Sequence, residues 1–299
     1  MSAPGSVPPL LQVAATSRSS AAPTESGAEG TDAAPAATSE PSEDEAREQG
    51  PACVVDDPGT GDRREVDLGV AGARLFAPAR VPERFPLVVH FHGGEAARRL
   101  LVRDAVDVVL VTIDAGKGSQ RYANAITNDV PRRLVQAVED KTGRAIGKVV
   151  VSAWSAGYGA VRSMLSGAPD FAQAYVLLDA VHSSYDAKGA PEPAGLAPFV
   201  DVAKRAKLGS PIVWLTHSSI TPPGYASTTE VADAILTNVE GRRRYGGLED
   251  LEGLELRTRY DAGSLHVLGT TGTDKSAHCA HLRMLPGLLE REVLPQLAR

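Results

Sequence analysis

At 299 residues, with 42% hydrophobic and 23% charged side chains, the chain has a globular composition and room for a sizeable core. Its net charge of −6 comes from the first fifty residues, where eight acids face two bases; the remainder balances at 29 of each. That balance leaves no electrostatic footprint for nucleic acid or an anionic membrane, and no stretch approaches the ~18 unbroken apolar residues of a membrane span, so a soluble protein is expected.

The first fifty residues hold eleven Ala, eight Ser, six Pro and no aromatic residue; the first aromatic is Phe76. Such a segment cannot bury enough apolar surface to offset its ordering entropy, so 1–50 is expected to be a disordered tail or linker ahead of one folded domain over 51–299. Leu10 to Ala15 is too short for the apolar centre of a secretory signal, and no Lys or Arg precedes it. The compartment stays open between the cytoplasm and a secreted or envelope location. Cys53 and Cys279 show no C-x-x-C metal spacing; a disulfide is open to them, but two separate thiols in a reducing compartment is the favoured reading.

From residue 65 the pattern becomes regular. Glu65 to Ala71 and Arg74 to Ala77 flank Gly72 and read as a short hairpin. Leu87 to Phe91 is a buried strand ending in His92-Gly93-Gly94, and Asp107 to Ile113 is a second. A helix capped at Asn128 or Asp129 follows, with Val130, Leu134, Val135 and Val138 on one face and Gly143 at its end. Lys148 to Ser152 makes a third strand, turning at 153–157 into a helix that carries Val161, Met164 and Leu165 inward. Further strands are predicted at Tyr175 to Leu178, Ile212 to Thr216 and Leu254 to Tyr260. Helices are predicted near 197–207 and 228–240, with a last one from about 278 that breaks at Pro286. Apolar strands without alternation, separated by amphipathic helices, predict an α/β fold: a mostly parallel sheet with helices on both faces. In such sheets the working groups gather at the carboxyl ends of the strands.

Ala153-Trp154-Ser155-Ala156-Gly157 lies directly between a buried valine run and a helix. A nucleophile on so sharp a turn needs small neighbours two residues to either side, and Ala153 and Gly157 supply them. The helix N-terminus there favours developing negative charge, although a serine that merely caps the helix is the plain alternative for Ser155. In His90-Phe91-His92-Gly93-Gly94, flexible backbone can aim N–H groups at a substrate oxygen. One of Gly93, Gly94 or Glu95, together with Ala156, would form an oxyanion hole. Metal chemistry on His90 and His92, projecting from one strand face, is the rival reading, but no aspartate follows in step.

A base is needed near Ser155. His278 lies in the loop before the last helix, and His281 one turn later is its substitute; His266, in an apolar stretch, reads as a core or turn residue. Asp179, closing an apolar strand, is the candidate orienting acid, with Asp186 as an outside candidate and turn capping as the plain alternative. His182 and His217 read as rim residues that touch substrate, and Trp154, Tyr185 and Tyr225 as pocket walls.

On these residues the chain resembles the α/β-hydrolase superfamily, serine esterase-like, from about residue 65 to the C-terminus. The histidine–glycine loop, the serine elbow and the late histidine stand in the superfamily's order, and Ser155, Asp179, His278 match its serine–acid–histidine sequence. Two departures stand out: Ala153 replaces the first glycine of the elbow, and the acid follows the strand directly after the elbow. The resemblance implies acyl transfer through Ser155 from a small-molecule or acylated substrate, most simply a carboxylic ester, without cofactor or metal. A metal-dependent hydrolase on His90 and His92, or a non-catalytic binding protein on the same fold, are the alternatives. Acyl specificity and oligomeric state stay open.

Overall fold

The computed structural model describes residues 53–245 and 250–299; the expected tail at 1–50 lies outside the described residues. The chain divides between Ser42 and Glu43, and everything below belongs to the second unit.

The strands are β1 Arg64–Asp67, β2 Arg74–Ala77, β3 Arg84–Phe91, β4 Val109–Ile113, β5 Ala145–Trp154, β6 Ala174–Leu178, β7 Ile212–His217, β8 Arg244–Tyr245, β9 Asp250–Leu251, β10 Leu254–Ala262 and β11 Leu265–Thr270. They align in the order β1-β2-β4-β3-β5-β6-β7-β11-β10-β8, with β9 paired to β10. The run from β4 to β11 is parallel throughout, and the flanking pairs are antiparallel. This mixed sheet, crossed repeatedly by helices, is the α/β-hydrolase arrangement.

Its layers follow from the two-residue period of extended chain. Leu87, Val89 and Phe91, with Val149, Val151 and Ala153, face one core; Val88, Val150, Val176 and Trp214 face the other. The first core is covered by α2 Ser119–Ala125, α3 Val130–Thr142, α4 Tyr158–Gly167, α5 Pro193–Lys207 and α6 Thr228–Asn238. The second is covered by α1 Gly94–Arg103, α7 Lys275–Arg283 and the C-terminal turns after Met284. Helix ends carry local signals. Gly143 terminates α3 in the left-handed region at φ 65°, and Ser227 and Glu230 form a reciprocal capping box on α6.

Several expectations need correction. Helices α1 and α2 are additions, since neither was anticipated. The strand expected at Leu254 to Tyr260 is present as β10, but it turns at Gly263 into an unanticipated strand, β11, which pairs in parallel with β7 and leads toward His278. His278 is not in a loop but in the first turns of α7, a helix capped by Asp274, whose carboxylate accepts the Ala277 N–H at 2.9 Å. Cys53 and Cys279 are joined in a disulfide rather than standing as separate thiols, so the start of the described chain is tied to α7.

Candidate active site

Three non-glycine residues at the carboxyl ends of neighbouring strands hold left-handed backbone: His92 after β3 (φ 70°), Ser155 after β5 (φ 48°) and Asp179 after β6 (φ 44°). Such residues cost of order 1–3 kcal/mol each unless their surroundings hold them, and they gather where geometry matters more than relaxation. At Ser155 the holding comes from close packing: a Cβ on Gly157 would run into the Phe91 carbonyl of β3, and one on Gly159 into the Ser119 carbonyl. The chain therefore turns from β5 through Ser155–Gly157 into α4 with no room to spare. Ser155 and Ala156 stay half-buried while Ala153, Trp154 and Gly157 are buried.

Asp179 is 2% exposed. Its Oδ2 accepts from His278 Nδ1 at 2.7 Å, and its Oδ1 accepts from the Ser218 N–H at 2.8 Å and the Thr228 hydroxyl at 2.5 Å. Burial works against ionisation, but the hydrogen bond from His278, reinforced by nearby charge and by Thr228, outweighs it and holds the carboxyl well below the usual carboxylate range. With Nδ1 donating to Asp179, His278 presents Nε2 as its acceptor. Ser155 Oγ and His278 Nε2 make no hydrogen bond to each other or to any other described residue.

His278 is also fixed from the side. Its ring lies 4.7 Å from that of Trp154, the residue before the serine, and the Trp154 indole N–H donates to the His278 carbonyl at 3.0 Å. Trp154 also stacks on His92 at 5.2 Å. Trp154 is only 8% exposed, so it packs against two imidazoles rather than standing as an open pocket wall.

His90 and His92 do not converge as a metal pair. His90 is fully buried, its Nε2–H donating to the His92 carbonyl at 2.9 Å and its Nδ1 accepting from Ser152 Oγ at 3.0 Å. His92 has left the strand and points its Nδ1 at the Tyr122 hydroxyl, 2.7 Å away. Burial lowers the pKa of His90 to about 3; burial and the His278 charge lower that of His92 to about 4. Among the described residues no group of three or more His, Cys, Asp or Glu gathers as a metal site.

The glycine loop is partly occupied. The Gly94 N–H donates to Asp114 Oδ2 at 3.0 Å, and the Gly93 N–H also favours that carboxylate. Gly94 thus has its N–H engaged by a protein anion, whereas Ala156 stands at the start of the elbow turn. Asp114 follows β4, a position the spacing of the motifs did not single out.

His281, the substitute base, is fully buried and holds Thr216 Oγ1 at 2.7 Å and Thr270 Oγ1 at 3.1 Å. Because Thr216 Oγ1 also accepts the Asp179 N–H at 3.1 Å, His281 supports the acid from below. Burial lowers its pKa to about 4. His217 is not a rim residue. It is 3% exposed, and its nitrogens meet Thr229 Oγ1 at 3.0 Å and Arg243 Nη1 at 2.6 Å. As the last residue of β7 it points inward, and burial followed by the Arg243 charge lowers its pKa to about 3. Arg243, which carries an ion pair to Asp233 at 2.7 Å, has no recognisable motif in the sequence.

His182 packs edge-on to Tyr158 at 5.9 Å and to Tyr225 at 5.2 Å. The exposed Tyr185 gives its hydroxyl to Glu230 at 3.1 Å, and the Asp186 carboxylate accepts the Lys188 and Ala190 N–H groups in its own turn. His266 is stacked on Trp214 at 4.2 Å and bonded to Asp261 at 2.7 Å, away from these groups. No helix among the described residues is long and apolar enough to cross a membrane.

No protein-family model matches the chain, and no curated protein matches it. Solved structures do. The chain is similar to esterase B from Lactobacillus rhamnosis at 15% identity, over 66% of this chain and 76% of that one, with a TM-score of 0.43. It is similar to an acetyl xylan esterase from Aspergillus awamori at 15% identity, over 71% and 93%, with a TM-score of 0.43. A Thermus thermophilus protein, TT1662, is similar at 17% identity over 76% and 97%, with a TM-score of 0.47. These likenesses assign no role to any residue here.

Proposed function

We propose that the protein is a serine hydrolase that cleaves a carboxylic ester through an acyl-enzyme on Ser155. The reading rests on one observation above all: the buried Asp179 carboxylate grips His278 Nδ1 at 2.7 Å, one strand away from a serine on left-handed backbone. A carboxylate so placed fixes the imidazole tautomer and favours its protonated form. His278 Nε2 then takes the Ser155 proton as Oγ attacks the acyl carbon. The C–O bond to the alcohol breaks as His278 returns the proton to the leaving oxygen, and water, deprotonated by the same imidazole, clears the acyl group. The missing Ser155–His278 hydrogen bond is compatible with this, since such contacts commonly tighten only with substrate bound.

The oxyanion is met first by the Ala156 N–H. A second donor comes from the loop at 93–95, in which the Gly94 N–H is already engaged by Asp114. His90 holds this loop through the His92 carbonyl, a positioning role that leaves it no nitrogen for a metal.

Turnover of short-chain aryl esters by the wild type and by Ser155→Ala tests the reading. Loss of at least 10³-fold in kcat, with unchanged thermal stability, is expected. Equal turnover by the folded variant removes the serine from the mechanism.

A further inference from the structure

The aromatic wall beside Ser155 ends in a cation that nothing described neutralises. Arg162 lies on α4 two turns beyond the serine, and helical side chains lean toward the N-terminus, which here means back toward Ser155. Its guanidinium carbon sits 5.9 Å from the Tyr158 ring centroid, and a side chain on Gly195, at the start of α5, would meet its Nη1 at 3.9 Å. Tyr158 continues into His182 and Tyr225, so Arg162 closes the same wall from the helix side. It is half-buried, yet among the described residues it has neither an ion pair nor a carboxylate hydrogen bond.

The carboxylates on the facing loops are engaged elsewhere. Glu192 accepts the Ala194 N–H at 3.3 Å, Asp186 closes its own turn, and Glu230 serves Ser227 and Tyr185. Two more deeply buried arginines, by contrast, have acidic partners: Arg98 binds Glu95 at 2.6 Å and Arg243 binds Asp233 at 2.7 Å. A guanidinium held over an aromatic face, with its donors unspent, is suited to a carboxylate or similar anion.

We infer that Arg162 selects substrates whose acyl or alcohol half carries an anionic group, the guanidinium binding that anion while the ester lies at Ser155. This rests on the ester-hydrolase reading and adds the substrate class to it. Arg162 stands about 6 Å of helical rise beyond Tyr158, the first residue of α4, and the backward lean shortens the reach, so the anion belongs on the order of 10 Å or less from the scissile carbonyl.

The test compares matched esters on the whole protein. One pair is 4-nitrophenyl hexanoate and the 4-nitrophenyl monoester of adipate; the other is methyl 4-acetoxybenzoate and 4-acetoxybenzoate. The first pair places the charge on the acyl side and the second on the leaving side. The readout is the ratio of kcat/KM, anionic over neutral, in wild type, Arg162→Gln and Arg162→Lys. In at least one pair the wild-type ratio is expected to be about tenfold above that of Arg162→Gln, mostly through KM, with Arg162→Lys between them and the wild-type ratio falling as salt is added. Ratios unmoved by Arg162→Gln in both pairs overturn the inference while leaving ester hydrolysis standing. If the folded wild type turns over none of the four esters, the ester reading fails and takes the inference with it.

Discussion

Replacing Asp179 with Asn tests the link between acid and base more sharply than deletion. The amide keeps an oxygen for the Ser218 N–H and Thr228 hydroxyl, which now approach Oδ1 at 2.8 and 2.5 Å, so the buried end of β6 can stay satisfied. It then turns its NH2 toward His278 Nδ1, 2.7 Å away in the native protein. Two donors cannot face each other, so the imidazole must present Nδ1 as an acceptor and carry its proton on Nε2, the nitrogen meant to receive the Ser155 proton. The base is blocked while the fold survives. In serine–histidine–aspartate enzymes a change of this kind lowers kcat about 10⁴-fold, equivalent to about 5 kcal/mol at the transition state. Folding should lose only ~1–3 kcal/mol, the scale of a charge-assisted hydrogen bond exchanged for a neutral one. The assay pairs ester turnover with thermal unfolding of the same preparation. A folded Asp179→Asn protein within tenfold of wild-type kcat would refute the tautomer argument.

Two further outcomes follow from burial and packing. His90, His92, His217 and His281 have pKa values lowered to about 3, 4, 3 and 4, so the folded protein leaves them neutral where the unfolded chain takes up protons near pH 6.5. Stability is then fully present above pH 6.5 and is lost as pH falls toward 4, by up to about 2 kcal/mol per histidine at pH 5; a thermal midpoint unchanged between pH 7 and 5 would contradict this. Gly157→Ala sets a methyl group against the Phe91 carbonyl, so it should depress the thermal midpoint and reduce ester turnover at least tenfold; native values for both would mean the elbow is looser than its packing implies.

Much of the architecture was legible because the parallel strands are valine-rich runs without alternation, and the small residues around Ser155 mark a turn that few other sequences could make. The position of Asp179 was legible for the same reason, as a lone carboxylate closing a buried strand. The C-terminal third was harder. The turn at Gly263 splits what reads as one strand and loop into a hairpin, and only the parallel pairing of its second strand identifies Leu265–Thr270 as the neighbour of β7. His278 reads as a loop residue because Asp274, which caps its helix, has no acidic or glutamine partner three residues on to complete a capping box. His217 reads as a rim residue because strand-end position says where a residue stands, not which face it points from; its neighbours Thr229 and Arg243 arrive from distant sequence. Asp114 and Arg162 belong to no motif at all, and only the approach of separate elements gives them meaning.

The most direct measurement is a fluorophosphonate probe on the folded protein, followed by peptide mapping. An adduct on Ser155 Oγ, weakened in Asp179→Asn in proportion to lost turnover, is the predicted result. Labelling at another residue, or no labelling of a protein that still hydrolyses esters, would contradict the account.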